Sequence, residues 1–516
     1  MKAYLMYRNR DFDLQEKIPP NSSELIDDLE IETLWTAMAG GDGFLLEIAK
    51  RSTLTSLKLL DDIVYRQEIM TDCFDRSAVV REMYAIATEA VEREKKIWAS
   101  IFGRYPEGLL TRSVDVLAIF VGQLKRLRSI ADTQRSSFHS EGFTRFFDMI
   151  STELNDEYLV TVDEHLRRLR FKDSGLLMSA ELGRGNKGTN YILRKPRDAK
   201  HGWRVRLRQW FERLAPGDRS RFVYEVDPRD EAGHRALSEL KGRGISQVAA
   251  ALAQSTDHIL SFFVMLRTEL GFYIGCLNLR DQLIAKGEPI CLPKPMSSAG
   301  MYLSVQGLYD VCLSLKTPHR VVGNDVHADG KPLVMITGAN RGGKSTFLRS
   351  VGLAQVMMQC GMFSPAQSFQ ANICDGVYTH FKREEDRSMR SGKLDEELGR
   401  MSATVDRITP NSMVLLNESF GSTNEREGSE IARQIVSALL ESGIKVLYVT
   451  HMFDLAIGFY RTMSSGALFL RAQRLTDGSR TFRLLESEPL PTSYGEDLYK
   501  HIFGTAQGAK DTPSPL

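Results

Sequence analysis

The sequence of 516 residues has few cysteines, and none of them forms the C-x-x-C pair typical of zinc ribbons and redox sites. The six are Cys73, Cys276, Cys291, Cys312, Cys360 and Cys374. Such scattered thiols exclude a disulfide framework and suit a reducing compartment. The N-terminus lacks the apolar core of a signal peptide, and we find no uninterrupted apolar run of the ~18 residues that a membrane span needs. The sequence therefore predicts a cytoplasmic protein without a membrane segment.

An excess of charge is also lacking. Lys and Arg number 67 against 66 Asp and Glu, so the net charge of +1 does not by itself indicate a polyanionic partner. Hydrophobic residues make up 42% and charged residues 26% of the chain, which excludes disorder as the dominant state. The length is enough for several domains.

Periodic apolar residues predict helices over residues 25–103, 104–173 and 230–286. Two short apolar segments, at residues 175–182 and 189–193, predict strands on either side of a glycine-containing loop. This part of the chain is therefore predicted to be helical, with a small β insert.

After a proline-rich linker, predicted strands and helices alternate. The strands are residues 334–337, 412–416 and 446–450, and the helices are residues 345–360 and 428–442. Such alternation is typical of a parallel sheet with helices on both faces. The predicted fold class is α plus α/β, in which the helical region and its β insert precede an α/β domain.

The segment GANRGGKS at residues 338–345 matches the phosphate-binding pattern G-x-x-x-x-G-K-[ST] in full, between a predicted strand and a predicted helix. Its glycines let backbone N–H groups turn toward phosphates, and the helix adds its positive end. Lys344 is expected to reach the β- and γ-phosphates of ATP, and the Ser345 hydroxyl to bind Mg²⁺. A glycine-rich turn without a ligand is the alternative. The predicted nucleotide-binding residues are Gly338, Ala339, Asn340, Arg341, Gly342, Gly343, Lys344, Ser345 and Thr346.

Two polar residues follow the predicted strand 412–416, in the Walker B arrangement of P-loop ATPases. Asn417 stands where Asp is usual; its amide oxygen accepts from a Mg²⁺-bound water but brings no charge. Glu418 is predicted to be the base that orients or deprotonates the attacking water. The alternative for Glu418 is an acid that caps the next helix.

His451 follows the third predicted strand and should face the ligand crevice at the carboxyl end of the sheet. It is predicted to sense the γ-phosphate, and the alternative is a surface histidine in a turn. We therefore assign catalytic roles to Glu418, His451 and Lys344.

Residues 165–222 hold sixteen Lys and Arg against five Asp and Glu, a balance of +11 in a chain of net +1. Such a basic block, from Arg167 to Arg221, suits contact with the phosphate backbone of DNA. The alternative is a solvated surface that pairs with acids elsewhere, such as Glu225.

These motifs together resemble the MutS mismatch-repair ATPases, within the wider ABC-type class. The segment TGANRGGKSTFLR at residues 337–349 is similar to the P-loop of that family, and other segments are similar to further family motifs. They are residues 34–42 and 65–67, Asn324 with Asp325, residues 364–367 and 375–379, Ser391 with Glu396 and Glu397, residues 422–424 with Gly428, Thr450 with His451, and residues 493–495.

The resemblance implies ATP and Mg²⁺ as cofactors and places Asn324 near the nucleotide. It also implies that Ser391 of one subunit approaches the ATP of the other, and hence a homodimer. The implied domains are 1–103, the first part of the helical core; 104–290, a helical lever and short clamp-like region with the basic block; 291–506, the ATPase domain; and 507–516, a disordered tail.

Two departures from the family pattern change the expectation. The chain begins almost at the helical core, so no counterpart of the mismatch-reading domain is expected, and Asn417 replaces the usual Asp. The resemblance implies an ATP-dependent DNA clamp in mismatch repair or a related repair or recombination process, with slow hydrolysis. The alternative is a slow-hydrolysing nucleotide switch that acts through protein partners.

Overall fold

The computed structural model describes residues 1–97, 106–169, 178–182, 184, 188–194, 231–298, 300–383, 392–475 and 478–491. The chain divides into two compact units. The first contains Met1–Ala3, Glu82–Arg135 and Phe147–Arg267, and the second contains Tyr4–Arg81, Ser136–Phe146 and Thr268–Leu516. The domain limits drawn from the sequence at residues 103, 290 and 506 stay predictions.

The helices of the described residues follow one another from the N-terminus as α1 to α14. They are α1 Ser22–Leu29, α2 Ile31–Ala39, α3 Gly43–Leu54, α4 Leu60–Asp75, α5 Ser77–Lys96, α6 Pro106–Gln134, α7 Glu141–Glu153, α8 Asp156–Leu169, α9 Glu231–Ala285, α10 Val311–Lys316, α11 Lys344–Gln359, α12 Lys393–Val405, α13 Glu425–Glu441 and α14 Phe453–Met463. A 3₁₀ turn, Arg135–Ser137, follows α6.

The strands of the described residues form a hairpin and two larger sheets. They are β1 Met178–Leu182, β2 Gly188–Leu193, β3 Lys294–Met296, β4 Leu303–Leu308, β5 Asn324–His327, β6 Leu333–Gly338, β7 Ser368–Asn372, β8 Val377–Phe381, β9 Met413–Asn417, β10 Lys445–Val449, β11 Ala467–Arg474 and β12 Arg480–Glu486. The predicted fold class is confirmed: helices with a small antiparallel hairpin, β1–β2, precede an α/β domain.

One predicted helical stretch is divided. The apolar periodicity of residues 144–169 continues through two helices, α7 and α8, that are separated at Leu154 and Asn155. The Asn155 side chain accepts the Tyr158 N–H at 2.8 Å, and this local bond starts the second helix. A capping residue therefore breaks a pattern that periodicity alone describes as continuous.

The first unit has its own core, built where α6, α8 and α9 meet. Leu110, Val114 and Leu117 of α6 pack with Leu166 of α8 and Ile245 of α9, and all are buried. These residues recur at three- and four-residue spacing on their helices, as expected for amphipathic elements.

The larger sheet of the second unit has six strands in the order β12-β11-β6-β10-β9-β8. Every neighbouring pair is parallel except β11 and β12, which are antiparallel. The central strand β10 is buried along its whole length, as expected where both faces of a parallel sheet are covered. The parallel sheet predicted from the alternating segments is thus present.

Helices cover both faces of this sheet. Val414 and Leu416 lie in one core cluster with α13 and α14, whereas Leu415, which points to the opposite face, lies against Gly352 of α11. A Cβ atom at Gly352 would approach Leu415 Cδ1 to 2.6 Å, so the close packing of α11 on the sheet requires glycine there.

A second, four-stranded sheet was not predicted from the sequence. Its order is β3-β7-β4-β5, with one parallel pair and two antiparallel pairs. Its strands have three to six residues, and β4 contains a register shift between Val305 and Leu308. Such short and irregular strands lack the alternation by which a strand is recognised.

Helix α11 is also anchored to the N-terminal residues of its own unit. Arg349 forms ion pairs with Glu30, at the junction of α1 and α2, and with Asp310. The fully buried Arg66 of α4 donates from Nη1 to the Cys360 carbonyl at 3.1 Å and from Nε to the Met6 carbonyl at 2.8 Å. Buried arginines need such partners, because an unpaired buried charge is strongly destabilising.

One apolar segment bears on the expectation that the chain has no membrane segment. Within α9, the stretch Ile245–Ala285 is long and apolar enough to cross a membrane by length and composition. Charged residues interrupt this stretch, so it is not a continuous apolar run. Its most apolar part is 67% buried inside the protein, as in the core helix of a soluble protein, so it is weak evidence for a membrane span.

Most of the basic block lies outside the described residues. Among its sixteen cations, side chains are described for Arg167, Arg184 and Arg194, and all three are exposed. Arg194 donates to the Ser179 hydroxyl at 2.9 Å, across the β1–β2 hairpin.

A buried carboxyl group predicts how the stability of the second unit depends on pH. Glu269 of α9 accepts N–H groups from Leu5 at 2.6 Å and Phe12 at 3.2 Å, and burial raises its pKa from 4.5 to about 7. Between these values the folded state binds more protons than the unfolded state. The free energy of unfolding should therefore fall as pH rises from about 4.5 to about 7, by on the order of 3 kcal/mol, and then level off.

Denaturant unfolding at pH 5 and pH 8 measures this change. Glu269→Gln removes the titrating group and keeps one acceptor, so its stability should change less between the two pH values. An identical pH dependence in the variant and the parent would contradict the assignment to Glu269.

Candidate active site

The parallel strands bring the predicted site residues to one edge of the six-stranded sheet. Strand β6 ends at Gly338, β9 ends at Asn417 and β10 ends at Val449, directly before Thr450 and His451. Val449 pairs with Asn417 in register, and the Glu418 N–H donates to the Val449 carbonyl at 2.8 Å. The edge thus joins three segments that are far apart in the sequence.

The turn from β6 into α11 adopts a conformation that needs glycine. Gly338 has φ of 109° and Gly343 has φ of 90°, in the left-handed region. A Cβ atom at Gly338 would lie 2.8 Å from the Ala472 nitrogen. Gly343 precedes the first helical residue, and no described side chain caps this helix start. The first N–H groups of α11 are therefore placed to bind an anion.

Lys344 lies within this turn and is buried. Its Nζ donates to the carbonyls of Gly338 and Ala339, each at 3.0 Å. Burial lowers the Lys344 pKa to about 8, while Glu418 acts in the opposite direction and Arg480 in the same direction. A nearby polyanion would raise this pKa again by favouring the charged ammonium group, so its surroundings fit a phosphate ligand.

The Ser345 hydroxyl donates to Asn417 Oδ1 at 2.9 Å. This contact brings together the predicted Mg²⁺ ligand, Ser345, and the residue predicted to hold the ion through water, Asn417. The described residues contain no group of three or more His, Cys, Asp or Glu side chains that could hold a metal. This donor set fits Mg²⁺, which keeps several waters and takes phosphate oxygens as ligands, better than an ion that needs a cage of protein groups.

Glu418 stands in a strained position. Its φ is 54°, and Phe420, two residues on, has φ of 63°. His451 Nε2 lies 2.6 Å from Glu418 Oε1, and this hydrogen bond is the main reason that the Glu418 pKa lies below its usual value. Lys344 and Lys382 lower it further. Glu418 is therefore ionised at neutral pH, with its carboxylate held by His451 and within electrostatic reach of Lys344 in the nucleotide turn.

The geometry excludes the helix-capping alternative for Glu418, and its role as the base stays a prediction. Helix α13 is capped by Asn424, whose side chain accepts the Glu427 N–H at 3.0 Å, so Glu418 does not cap it. Gly428 lies where a Cβ atom would approach the Phe420 carbonyl to 2.4 Å, which explains the glycine of this turn. His451 contacts Glu418 rather than standing alone in a surface turn.

Asn324 lies near the nucleotide turn, and both the nitrogen and the oxygen of its side-chain amide form hydrogen bonds with the backbone of strand β12. Its Nδ2 donates to the Phe482 carbonyl at 3.2 Å, and its Oδ1 accepts the Leu484 N–H at 2.7 Å. Arg480, also in β12, donates to the Asn340 carbonyl of the nucleotide turn at 2.7 Å. Sequence reasoning missed Arg480 and Phe482, because no motif marks this edge strand.

A cavity of about 410 Å³ adjoins the nucleotide turn. Tyr309, Phe347 and Phe482 supply apolar walls, while Arg341, Gly343 and Thr346 supply the side next to the predicted phosphates. An apolar cavity with a few polar groups is the usual setting for a small ligand. Arg341, with φ of 58°, is exposed here.

The remaining predicted residues lie partly outside the described part of the chain. Ser391 and residues 493–495 lie outside the described residues. Glu396 and Glu397, which follow Ser391 in the sequence, lie in α12, where Glu397 is buried and Glu396 pairs with Arg400. The functional roles assigned to all these residues stay predictions.

Two family models match most of the chain. A model described as MutS2 N-terminal domain matches residues 59–286, and one described as MutS domain V matches residues 334–502.

Curated relatives match smaller parts. The DNA mismatch repair protein MutS of Thermotoga maritima is 37% identical over 135 residues, or 26% of this chain and 17% of that protein. That of Thermus aquaticus is 32% identical over 167 residues, or 32% of this chain and 20% of that protein. The MutS protein of Lactobacillus helveticus is 30% identical over 222 residues, or 40% of this chain and 26% of that protein. The matches thus span about a quarter or less of these relatives' lengths.

The contact between Ser345 and Asn417 generates a prediction for the metal. Asn417→Asp keeps the acceptor for the Ser345 hydroxyl and adds a negative charge next to the expected Mg²⁺. The Mg²⁺ concentration for half-maximal ATP binding should fall by roughly tenfold, which corresponds to ~1.4 kcal/mol of added attraction. Nucleotide binding in a Mg²⁺ titration measures it. Asn411→Asp, before β9, adds the same charge away from the site and is the control. An unchanged Mg²⁺ requirement in Asn417→Asp would place the ion elsewhere.

Proposed function

We propose, from the premise that this chain belongs to the MutS family, that it is a Mg²⁺-dependent ATPase which couples ATP binding and hydrolysis in a homodimer to the clamping of DNA. The process would be mismatch repair or a related form of DNA repair or recombination in the cytoplasm. The observation that carries the ATPase part is the contact of Glu418 with His451, 2.6 Å apart at the edge that also holds Lys344 and Ser345.

The nucleotide would lie between the turn at Gly338–Lys344 and the neighbouring cavity. Lys344 and the first N–H groups of α11 would bind its phosphates, and the walls at Tyr309 and Phe482 would take the base. Bound Mg²⁺ would neutralise phosphate charge, held by Ser345 and, through water, by Asn417. Arg480 and Asn324 would keep β12 against the turn.

Glu418 would act as the general base. Its lowered pKa keeps it ionised, and the bond to His451 fixes the direction of its carboxylate. When a γ-phosphate is present, His451 would leave Glu418 or divide its hydrogen bonding between Glu418 and the phosphate. This change of partner is how His451 would sense the nucleotide. Asn417 supplies no charge to the ion, so hydrolysis is expected to be slow.

Asn417 also favours a second function. A site that binds ATP tightly and hydrolyses it rarely would serve as a nucleotide switch acting through protein partners. Turnover measured with duplex, branched and mismatched DNA separates the two functions: stimulation by any of these supports the clamp, and its absence with all of them supports the switch.

The first prediction here concerns the base. Glu418→Gln keeps the size of the side chain but cannot accept the proton, so turnover should fall by about 10²–10⁴-fold while ATP still binds. Sedimentation should show the ATP-bound dimer accumulating. Lys344→Ala should instead abolish ATP binding, because the phosphates lose their buried cation. The exposed Glu430→Gln on α13 is the matched control. Parental turnover in Glu418→Gln would remove Glu418 from its role.

The basic block generates a prediction for the salt dependence of DNA binding. Replacing Arg204, Arg206 and Arg208 by Ala should lower the salt dependence of DNA affinity by up to about three units if each meets a phosphate. The control replaces Arg93, Arg126 and Arg135, which are exposed but paired with carboxylates. Binding should discriminate weakly between mismatched and paired duplexes. Equal salt slopes in the two triple variants would exclude the basic block as the contact.

A further inference from the structure

The loop that carries Glu418 is tied to helix α12 by groups that the proposed chemistry does not use. The loop runs from β9 to α13 and contains Ser419 and Ser422. Glu397, in the second turn of α12, is 1% exposed, and its Oε1 accepts the Ser422 hydroxyl at 2.7 Å. Its Oε2 is buried and has no hydrogen-bond partner among the described residues.

A second connection joins the same two elements. His380 of β8 lies with Nε2 3.0 Å from the Glu397 carbonyl and with Nδ1 2.8 Å from the Ser419 hydroxyl. Burial lowers the His380 pKa to about 4, so the ring is neutral, and the neighbouring carbonyl places its proton on Nε2. The one hydroxyl proton of Ser419, directly after Glu418, has two alternative acceptors, Nδ1 and the His380 carbonyl at 2.6 Å, and the Ser419 carbonyl accepts from the Tyr448 hydroxyl at 2.5 Å.

Packing alone does not explain a carboxylate at position 397. Among the described residues this buried carboxyl group has one partner, the Ser422 hydroxyl, which makes its burial costly, and an apolar side chain of similar volume would fill the same space without this cost. The group is therefore placed where its hydrogen bond, rather than its bulk, matters. That bond ends four residues from Glu418, in a loop with two left-handed residues that need support from outside.

We propose that Glu397 is a positioning residue for ATP hydrolysis: through Ser422 it fixes the loop of Glu418 to helix α12, so that the placement of α12 sets the orientation of the base. The proposal rests on the proposed function, in which Glu418 is the base. Helix α12 starts two residues after Ser391 in the sequence, so the same contact would pass a change near Ser391 to the base.

The test compares Glu397→Met, Ser422→Ala and the double variant with Glu397→Gln, which keeps an acceptor for Ser422. The exposed Asp395→Asn in the same helix is the control. We expect kcat to fall by about 10- to 100-fold in Glu397→Met and in Ser422→Ala, since small misplacements of a catalytic group strongly slow the reaction. KM for ATP should stay within about threefold, because the nucleotide turn is untouched.

Three further results separate positioning from a general loss of structure. The melting temperature of Glu397→Met should equal or exceed that of the parent, because the variant no longer buries an oxygen that lacks a partner in the described part of the chain. The double variant should be no slower than the slower single variant, because both remove one bond. Glu397→Gln should keep kcat within about threefold of the parent.

Hydrogen exchange of the peptide covering residues 418–424 gives a readout independent of turnover. Exchange should rise in Glu397→Met and Ser422→Ala but not in Glu397→Gln or Asp395→Asn. If the parent shows no turnover but this pattern appears, the proposed function fails while the positioning contact stands. Parental kcat and exchange in both Glu397→Met and Ser422→Ala, or in Ser422→Ala alone if the methionine variant does not fold, would overturn the inference.

Discussion

The in-register parallel pairing of β6, β10 and β9 is the constraint on which the rest of the site depends. Leu333 pairs with Val446, and Val449 pairs with Asn417, so the three strands reach the same edge together. A shift of one residue in any strand would turn its buried side chains to the opposite face. Strand β10 is buried on both faces, so such a shift would force side chains of different size into each close-packed core. The observed register thereby holds the nucleotide turn, Glu418 and His451 at one edge.

Negative charge is sparse at this edge of the sheet, and the pKa shifts of Lys344 and Glu418 reflect this shortage. With Asn417 in place of an acid, Glu418 is the carboxylate whose charge supports Lys344, and this is not enough to offset the burial of the lysine. Glu418 in turn is held ionised by His451 and by two lysines. The site without nucleotide is thus short of negative charge, which an incoming triphosphate supplies.

Much of this arrangement could be predicted from the sequence, and the failures have physical causes. The segments at Gly338, Asn417 and His451 follow continuous apolar strands, which mark the carboxyl edge of a parallel sheet without knowledge of the fold. The four-stranded sheet was missed because its strands are short and irregular. Arg480 and Phe482 were missed as site residues because β12 is a partly exposed edge strand whose proximity to the turn results from tertiary packing. Glu397 belongs to a segment that resembles a family motif, but its contact with Ser422 also results from tertiary packing and could not be predicted.

The contacts of Arg349 and Arg66 bear on modularity. Arg349 joins α11, the helix that begins at the nucleotide turn, to Glu30. Arg66 of α4 binds the carbonyl of Cys360, the residue directly after α11. Cutting the chain before the α/β domain would leave Arg349 with Asp310 but without Glu30, and would expose the surface of α11 that now packs on Leu29. The six-stranded sheet therefore cannot be expected to fold as an isolated domain, because helices α1 to α4 belong to the same compact unit. A fragment or fusion that keeps the nucleotide site must also contain these N-terminal helices.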